Sequence, residues 1–228
     1  MIPLKIRCSS IGKIMTEPKT LKEGPLSVGA KTHIRELAAQ DIFGIDFEVS
    51  SKEMEKGLEV EQAGIDLLND VRQSALTKNT ERRSNEFITG ECDLFNGAIR
   101  RGHDLKCSWS VKSFPIALVD CEDRLYEWQM HGYMWLWDAA DWEVNYVLVD
   151  TPARLIGFEP LPMHIVSHIP ANLRLTTWSI QREEVKEALI AEKVKAARLY
   201  YTGVVAEFDR MHGNDCQTAM AERKMALI

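Results

Sequence analysis

Two aspartates and a lysine stand out as residues able to do chemistry. In GECDLFNGAIRRGHDLKCSWS, residues 90–110, Asp93 closes an apolar segment, and beyond a turn-like interruption comes Asp104-Leu105-Lys106. A hard divalent cation such as Mg²⁺ takes oxygen ligands at about 2.1 Å, usually one or two carboxylates completed by water and substrate phosphate. Asp93 and Asp104 could supply that pair. A cation so held polarises a phosphodiester and turns bound water into a nucleophile. Side chains two apart on a strand share a face, so Lys106 falls beside Asp104, where an ammonium can position the attacking water and offset phosphate charge.

The pairing carries a geometric condition. If Asn96-Gly97 made a two-residue hairpin turn, Asp104 would face Thr89 and lie about 13 Å along the strand from Asp93, too far to share an ion. A loop from Gly97 to Arg100 sets Asp93 opposite Asp104 instead, and a bulge at Gly102 achieves something similar. Taken alone, the same residues also read as turn-flanking acids and an edge-strand lysine.

The elements that must position these groups follow from hydrophobic period. Ser9-Ser10 ahead of Ile11–Met15 reads as the cap of a short helix, and a Pro/Gly/Lys-rich loop covers roughly 17–29. Residues 30–43 and 51–71 carry apolar side chains at helical spacing, the second span including Glu61. After a polar loop with Arg82 and Arg83, EFITGECDLF and DLKCSWSV read as strands. Residues 122–140 start with acids and place aromatics three and four apart, which predicts a helix with a thick apolar face. A strand over 142–150, a proline-bearing loop, the strand LRLTTWSI and a charged helix complete the chain. This order implies a single α/β (α+β) domain, a mixed sheet flanked by helices over 1–228, with a basic arm and helix in 1–35 and a C-terminal helix and tail in 181–228.

Composition narrows the function. With 45% hydrophobic and 27% charged residues the chain is an ordinary globular sequence, not a disordered one. A net charge of −6 argues against a nonspecific coat on nucleic acid, yet residues 1–35 hold seven Lys and Arg against two Glu. That is either a basic arm able to guide DNA or a solvated surface. Five cysteines, odd in number and without a CxxC pair, predict reduced thiols rather than a zinc site. No apolar run approaches the roughly 18 residues of a membrane span, so a cytoplasmic protein without membrane attachment is expected. His164 and His168 sit in a proline-rich stretch that makes a poor helical metal site, and His103 should point away from Asp104, exposed or behind the site. The aromatics Tyr126, Trp128, Tyr133, Trp135, Trp137 and Trp142 suggest core packing more than base stacking.

Taken in order, Gly57-x-x-x-Glu61, Gly90-x-x-Asp93, Asp104-x-Lys106 and Gln129-x-x-x-Tyr133 resemble the PD-(D/E)xK nuclease superfamily, in particular the phage-type alkaline exonucleases and the related RecB-like and YqaJ-like nuclease domains. The resemblance runs from about Arg7 to Asp150. It implies a restriction-endonuclease-like fold and Mg²⁺, with Mn²⁺ able to substitute, bound by Asp93, Asp104 and the Leu105 carbonyl. It makes Lys106 the catalytic lysine, Glu61 an outer acid on metal-bound water, and Gln129 a helix residue touching the lysine or the scissile phosphate. Ser10 and Arg7 correspond to a segment that binds a terminal 5′ phosphate, with a cap and a surface arginine as their plain alternatives.

The implied activity is 5′-to-3′ digestion of one strand of linear double-stranded DNA to 5′-mononucleotides in phage-type recombination. It further implies a ring-like homotrimer at double-stranded DNA ends, a single-strand annealing protein as partner, and a bacterial or prophage setting. Two positions depart from the common pattern: Asp104 where Glu is commoner, and Cys92 where Pro or a small residue often stands. The alternatives are an endonuclease of the same superfamily, restriction-like or junction-cutting, and a non-catalytic DNA-end-binding protein.

Overall fold

The computed structural model describes residues 3–47, 50–213 and 220. Cys216 and most of the tail beyond 213 lie outside the described residues. In chain order the elements are β1 (Ile6–Arg7), α1 (Cys8–Ile14), α2 (Val28–Phe43), α3 (Lys52–Glu59), α4 (Glu61–Arg72), β2 (Arg82–Ser84), β3 (Ile88–Glu91), β4 (Leu94–Asn96), β5 (Arg101–Cys107), α5 (Arg124–Trp137), β6 (Asp141–Val147), α6 (Ala153–Ile156), β7 (Leu175–Gln181) and α7 (Glu184–Met211). No helix among them is long and apolar enough to cross a membrane. Cys8, Cys92, Cys107 and Cys121 are free thiols.

Side-chain caps mark the starts of α2, α3 and α5. The Ser27 hydroxyl accepts the Ala30 N–H at 3.0 Å, Ser51 accepts from Met54 at 3.3 Å, and Asp123 accepts from Leu125 at 2.6 Å. Three expectations change. The first helix begins at Cys8 with Arg7 as its cap residue, so Ser9 and Ser10 lie inside it and cap nothing. The span 51–71 is two helices, because Val60, at φ −103 and ψ 10, ends α3 and starts α4. Val60 is 8% exposed and packs with Leu67, Val147 and Val149, so burying it redirects the chain. EFITGECDLF is likewise two strands in different sheets, parted at Cys92-Asp93.

The chain divides into two compact units: Met1–Glu48, Ser84–Thr89 and Glu183–Ile228 form one, Val49–Arg83 and Gly90–Arg182 the other. In the first, β1 runs parallel to β3 with Ile6 opposite Ile88. Helices α2 and α7 meet through Phe43 and Phe208, ring centres 5.8 Å apart, and through the Tyr201 hydroxyl, which donates to Asp41.

The second unit is built on the sheet β4-β5-β6-β7, antiparallel, then parallel, then antiparallel. On β5, Gly102, Asp104 and Lys106 alternate with His103, Leu105 and Cys107. The second set faces α4, which comes close because Gly64 has no Cβ; one there would stand 3.0 Å from Leu105 and 3.1 Å from Val147. The first set faces α5. There the Trp142 ring lies over Gly102 and stacks on Tyr133 with centres 5.2 Å apart. Lys56 of α3, fully buried, donates to the carbonyls of Ser108 at 2.6 Å, Trp109 at 3.1 Å and Val149 at 3.0 Å, tying together the ends of β5 and β6. Burial pulls its pKa down to about 8, and three carbonyls match the three donors of its ammonium.

A Cβ on residue 102 would fall 2.2 Å from a Trp142 ring carbon. Gly102→Ala is therefore expected to destabilise the protein by about 1–3 kcal/mol through overpacking. An unchanged melting temperature would show that Trp142 has room to move.

Candidate active site

The chain reverses between β4 and β5 over Gly97–Arg100, with Arg100 in the left-handed region at φ 54 and the Asn96 side chain accepting the Ala98 N–H at 3.1 Å. Asn96 pairs with Arg101, Phe95 with Gly102 and Leu94 with His103. Asn96-Gly97 is thus not a tight turn, and the same register carries Asp93 to a place across from Asp104. Asp93 Oδ2 accepts the Leu105 N–H at 2.7 Å, which fixes that carboxylate against β5.

Helix α5 supplies the rest by matched spacing. Tyr126, Gln129 and Tyr133 stand three and four apart, about 4.5 and 6 Å along a helix, close to the roughly 6.6 Å between alternate strand residues. Tyr126 therefore lies against Lys106, its ring centre 4.4 Å from Nζ, and Gln129 against Asp104, with Nε2 3.4 Å from Oδ1. Tyr133 lies over Trp142 and donates its hydroxyl to the Glu91 carbonyl at 3.1 Å. Asp104 is only 2% exposed and pairs with Lys106 at 2.8 Å. Of the residues read from the sequence, Asp93, Asp104, Leu105, Lys106 and Gln129 come together here.

Glu61 is the first residue of α4 and pairs with Lys78. Its charge acts on Asp93 from that position. Arg7 and Ser10 belong to the first unit, Arg7 exposed at the end of β1 and Ser10 half-buried in the first turn of α1. His103 is not exposed. At 7% exposure it meets Glu143 at 3.3 Å on the α4 side of the sheet, and its hydrogen bond holds the Glu143 carboxyl below the usual range. Glu59, at the end of α3, pairs with Arg154. Tyr133, Trp137 and Trp142 form the expected packed cluster, while Tyr126 is half-buried under Lys106. Lys78 had no sequence signal; it lies in LTKNTERR, which has no hydrophobic period.

The electrostatics are those of a crowded acid site. Burial, and then the charge of Asp104, push Asp93 up to about 7, against the Leu105 N–H and Lys106, which favour its ionised form. Burial works against the Lys106 ammonium, but Asp104 outweighs it and the lysine's pKa is raised. Burial pushes the Cys92 thiol up to about 12, so it stays protonated and takes no part. All the side-chain donors offered by Asp93, Asp104 and Glu61 are carboxylate oxygens, and mutual repulsion raises the proton affinity of one of them. That donor set fits a hard divalent cation, held by Asp93 and Asp104.

The shift of Asp93 has a testable sign. Its folded pKa lies above the ordinary 3.8, so between about 4 and about 7 the folded state holds a proton that the unfolded state has lost. The contribution to stability falls as pH rises through that window. In EDTA, Asp93→Asn should gain melting temperature relative to the parent as pH rises from about 4 to about 7. Added Mg²⁺ should raise the parent's melting temperature and leave the variant's nearly unchanged. A gap that does not vary with pH would contradict this account of the site.

Solved structures resemble the chain along nearly all of its length. A phage-related exonuclease from Haemophilus somnus 129PT is 40% identical, with a TM-score of 0.85, over 90% of this chain and 97% of that one. An alkaline exonuclease from Laribacter hongkongensis, 14% identical, superposes with a TM-score of 0.68 over 92% and 93% of the two chains, a likeness of fold. Its complex with dAMP superposes with a TM-score of 0.65 at 16% identity. No protein-family model and no curated protein matches the chain. Identity at the level of the first of these, over that span, decides the matter: the chain belongs to the phage-type alkaline exonuclease family and is a nuclease of the PD-(D/E)xK type.

Proposed function

We propose that this exonuclease is a Mg²⁺-dependent 5′-to-3′ enzyme that digests one strand of linear double-stranded DNA to 5′-mononucleotides. The observation that carries the reading is the meeting of Asp93 and Asp104 across β4 and β5 with Lys106 on the same face. Mg²⁺ held there would polarise the scissile phosphodiester and lower the pKa of an attacking water, and Mn²⁺, which accepts the same oxygen donors, would substitute.

The chain's own residues then divide the work. Lys106, propped by the Tyr126 ring and anchored to Asp104, presents a fixed positive charge to the phosphate. Gln129 is buried, and its amide donates to both Asp104 and the Tyr133 hydroxyl, which holds the Asp104 carboxylate in one orientation. Glu61 stands at the rim as the acid for metal-bound water. The Leu105 carbonyl would complete the ligand set. Arg7 and Ser10, on the basic N-terminal segment, are proposed to receive the terminal 5′ phosphate. The Laribacter enzyme's complex with dAMP, a deoxynucleoside monophosphate, supports a mononucleotide product. A homotrimer around DNA, a single-strand annealing partner and a cytoplasmic, phage-type recombination role follow from the family resemblance.

The deciding experiment is digestion of linear duplex labelled at either end, with 5′-phosphate and 5′-hydroxyl forms compared and Mg²⁺ varied. Mononucleotides should appear first from the phosphorylated 5′ end, and Asp104→Asn and Lys106→Met should each slow release by about 10²-fold or more. Release from the 3′ end would refute the polarity. Full activity in either variant would refute the site, and cleavage of covalently closed circles would favour an endonuclease.

A further inference from the structure

The segment between α4 and β2 braces the site from outside the sheet. Lys78 bridges Leu94 in antiparallel fashion, and Asn79 donates its N–H to the Asp93 carbonyl at 2.7 Å and its side-chain amide to the Cys92 carbonyl at 3.1 Å. The backbone that carries the first carboxylate is thus gripped by Lys78-Asn79. From there Lys78 reaches to the Glu61 carboxylate at the start of α4. The Lys78 side chain is 49% exposed and that of Glu61 23%, against 26% for Lys106 and 3% for Asp104, so Lys78 is the more open of the two ammonium groups and Glu61 the more open of the two carboxylates. Among the described residues, Lys106 is held on two sides, by Asp104 and by the Tyr126 ring, whereas the Lys78 ammonium bonds Glu61, with the charges of Asp93 and Glu91 acting on it from further off.

The two lysines therefore differ in kind. Lys106 is a fixed charge. An ion pair as exposed as Lys78–Glu61 is weak, and a divalent cation competes well for its carboxylate. Lysine's compact ammonium on a flexible stem can then turn to a phosphate. We infer that Lys78 is a displaceable counter-charge, which neutralises Glu61 until a divalent cation draws that carboxylate inward, and which then binds a phosphate of the DNA strand. Cation and DNA binding are thereby coupled through one side chain. The inference rests on the reading of Asp93 and Asp104 as a cation site.

Removing the ammonium should move the two affinities in opposite directions, which a merely structural lysine would not do. Without DNA, Lys78→Met should bind Mg²⁺ about two- to fivefold more tightly than the parent, by calorimetry or thermal shift. With Mg²⁺ present, its KM for 5′-phosphorylated linear duplex should rise about three- to tenfold with kcat within about twofold, and the salt slope of log kcat/KM should become shallower by about one. Lys78→Arg should stay near the parent in both.

In a Glu61→Gln background the gain in Mg²⁺ affinity should vanish. This cycle, run with Lys78→Gln if the Met variant does not fold, separates loss of the pair from a local distortion. Mg²⁺ affinity no tighter than the parent's, or an unchanged KM and salt slope, would overturn the inference. Asp104→Asn is the control for the underlying reading. If it binds Mg²⁺ as the parent does, the cation site itself is wrong, whereas a failure confined to the Lys78 variants overturns only the counter-charge.

Discussion

The register between β4 and β5 is the constraint on which the rest of the second unit depends. A turn over Gly97–Arg100 pairs Phe95 with Gly102, and that pairing decides which face of β5 carries Asp104. A slip of one residue would send Asp104 and Lys106 toward α4 and turn His103 and Leu105 toward α5. Trp142 guards against such a slip. Its ring occupies the space over Gly102 and stacks between Tyr133 and Phe95, and no other β5 residue lacks the Cβ that would collide with it. Packing at one end of the strand thereby fixes chemistry at the other.

That chemistry is held at some cost to stability. Asp104 is almost wholly buried, and a buried ion pair such as Asp104–Lys106 gains little over apolar residues of the same shape. Asp93 is more costly, since burial and a neighbouring carboxylate both disfavour its ionised form. The opposite face of β5 shows how a purely structural charge is treated. There Glu143 is met by His103 and Arg101, and its carboxyl is held below the ordinary range. Lys56 is similarly matched by three carbonyls. Charges with full sets of partners support the frame, and the carboxylate pushed up to about 7 is at the candidate site.

What the sequence disclosed, and what it concealed, divides along the same physical line. Period and caps are local, so α2, α5, β5 and β7 could be read, and D-x-K two apart on a strand needed only alternation to share a face. The link of Gln129 to Asp104 was likewise readable once α5 and β5 were assigned. Long-range burial decided the rest. Val60 breaks a continuous helical period because its side chain belongs in the core with Val147 and Val149. Cys92-Asp93 divides an apolar run because the residues before and after it pair with different strands. His103 read as either exposed or behind the site because its partner Glu143 lies forty positions on. Lys78 was silent since it reaches Glu61 only through a backbone bridge to Leu94.

The substitution of Asp for the commoner Glu at position 104 shows what fold alone does not carry. A likeness at 14% identity fixes the course of the strands and leaves side-chain lengths open. With one methylene fewer than Glu, the Asp104 carboxylate has the shorter reach, and it lies buried against Gln129. The partner has to come to it. The Leu105 N–H bond to Asp93 does this from one side, and the grip of Asn79 on the Asp93 and Cys92 carbonyls does it from the other. Asp93 is thus held from two directions, its carboxylate by the Leu105 N–H of β5 and its carbonyl by the N–H of Asn79.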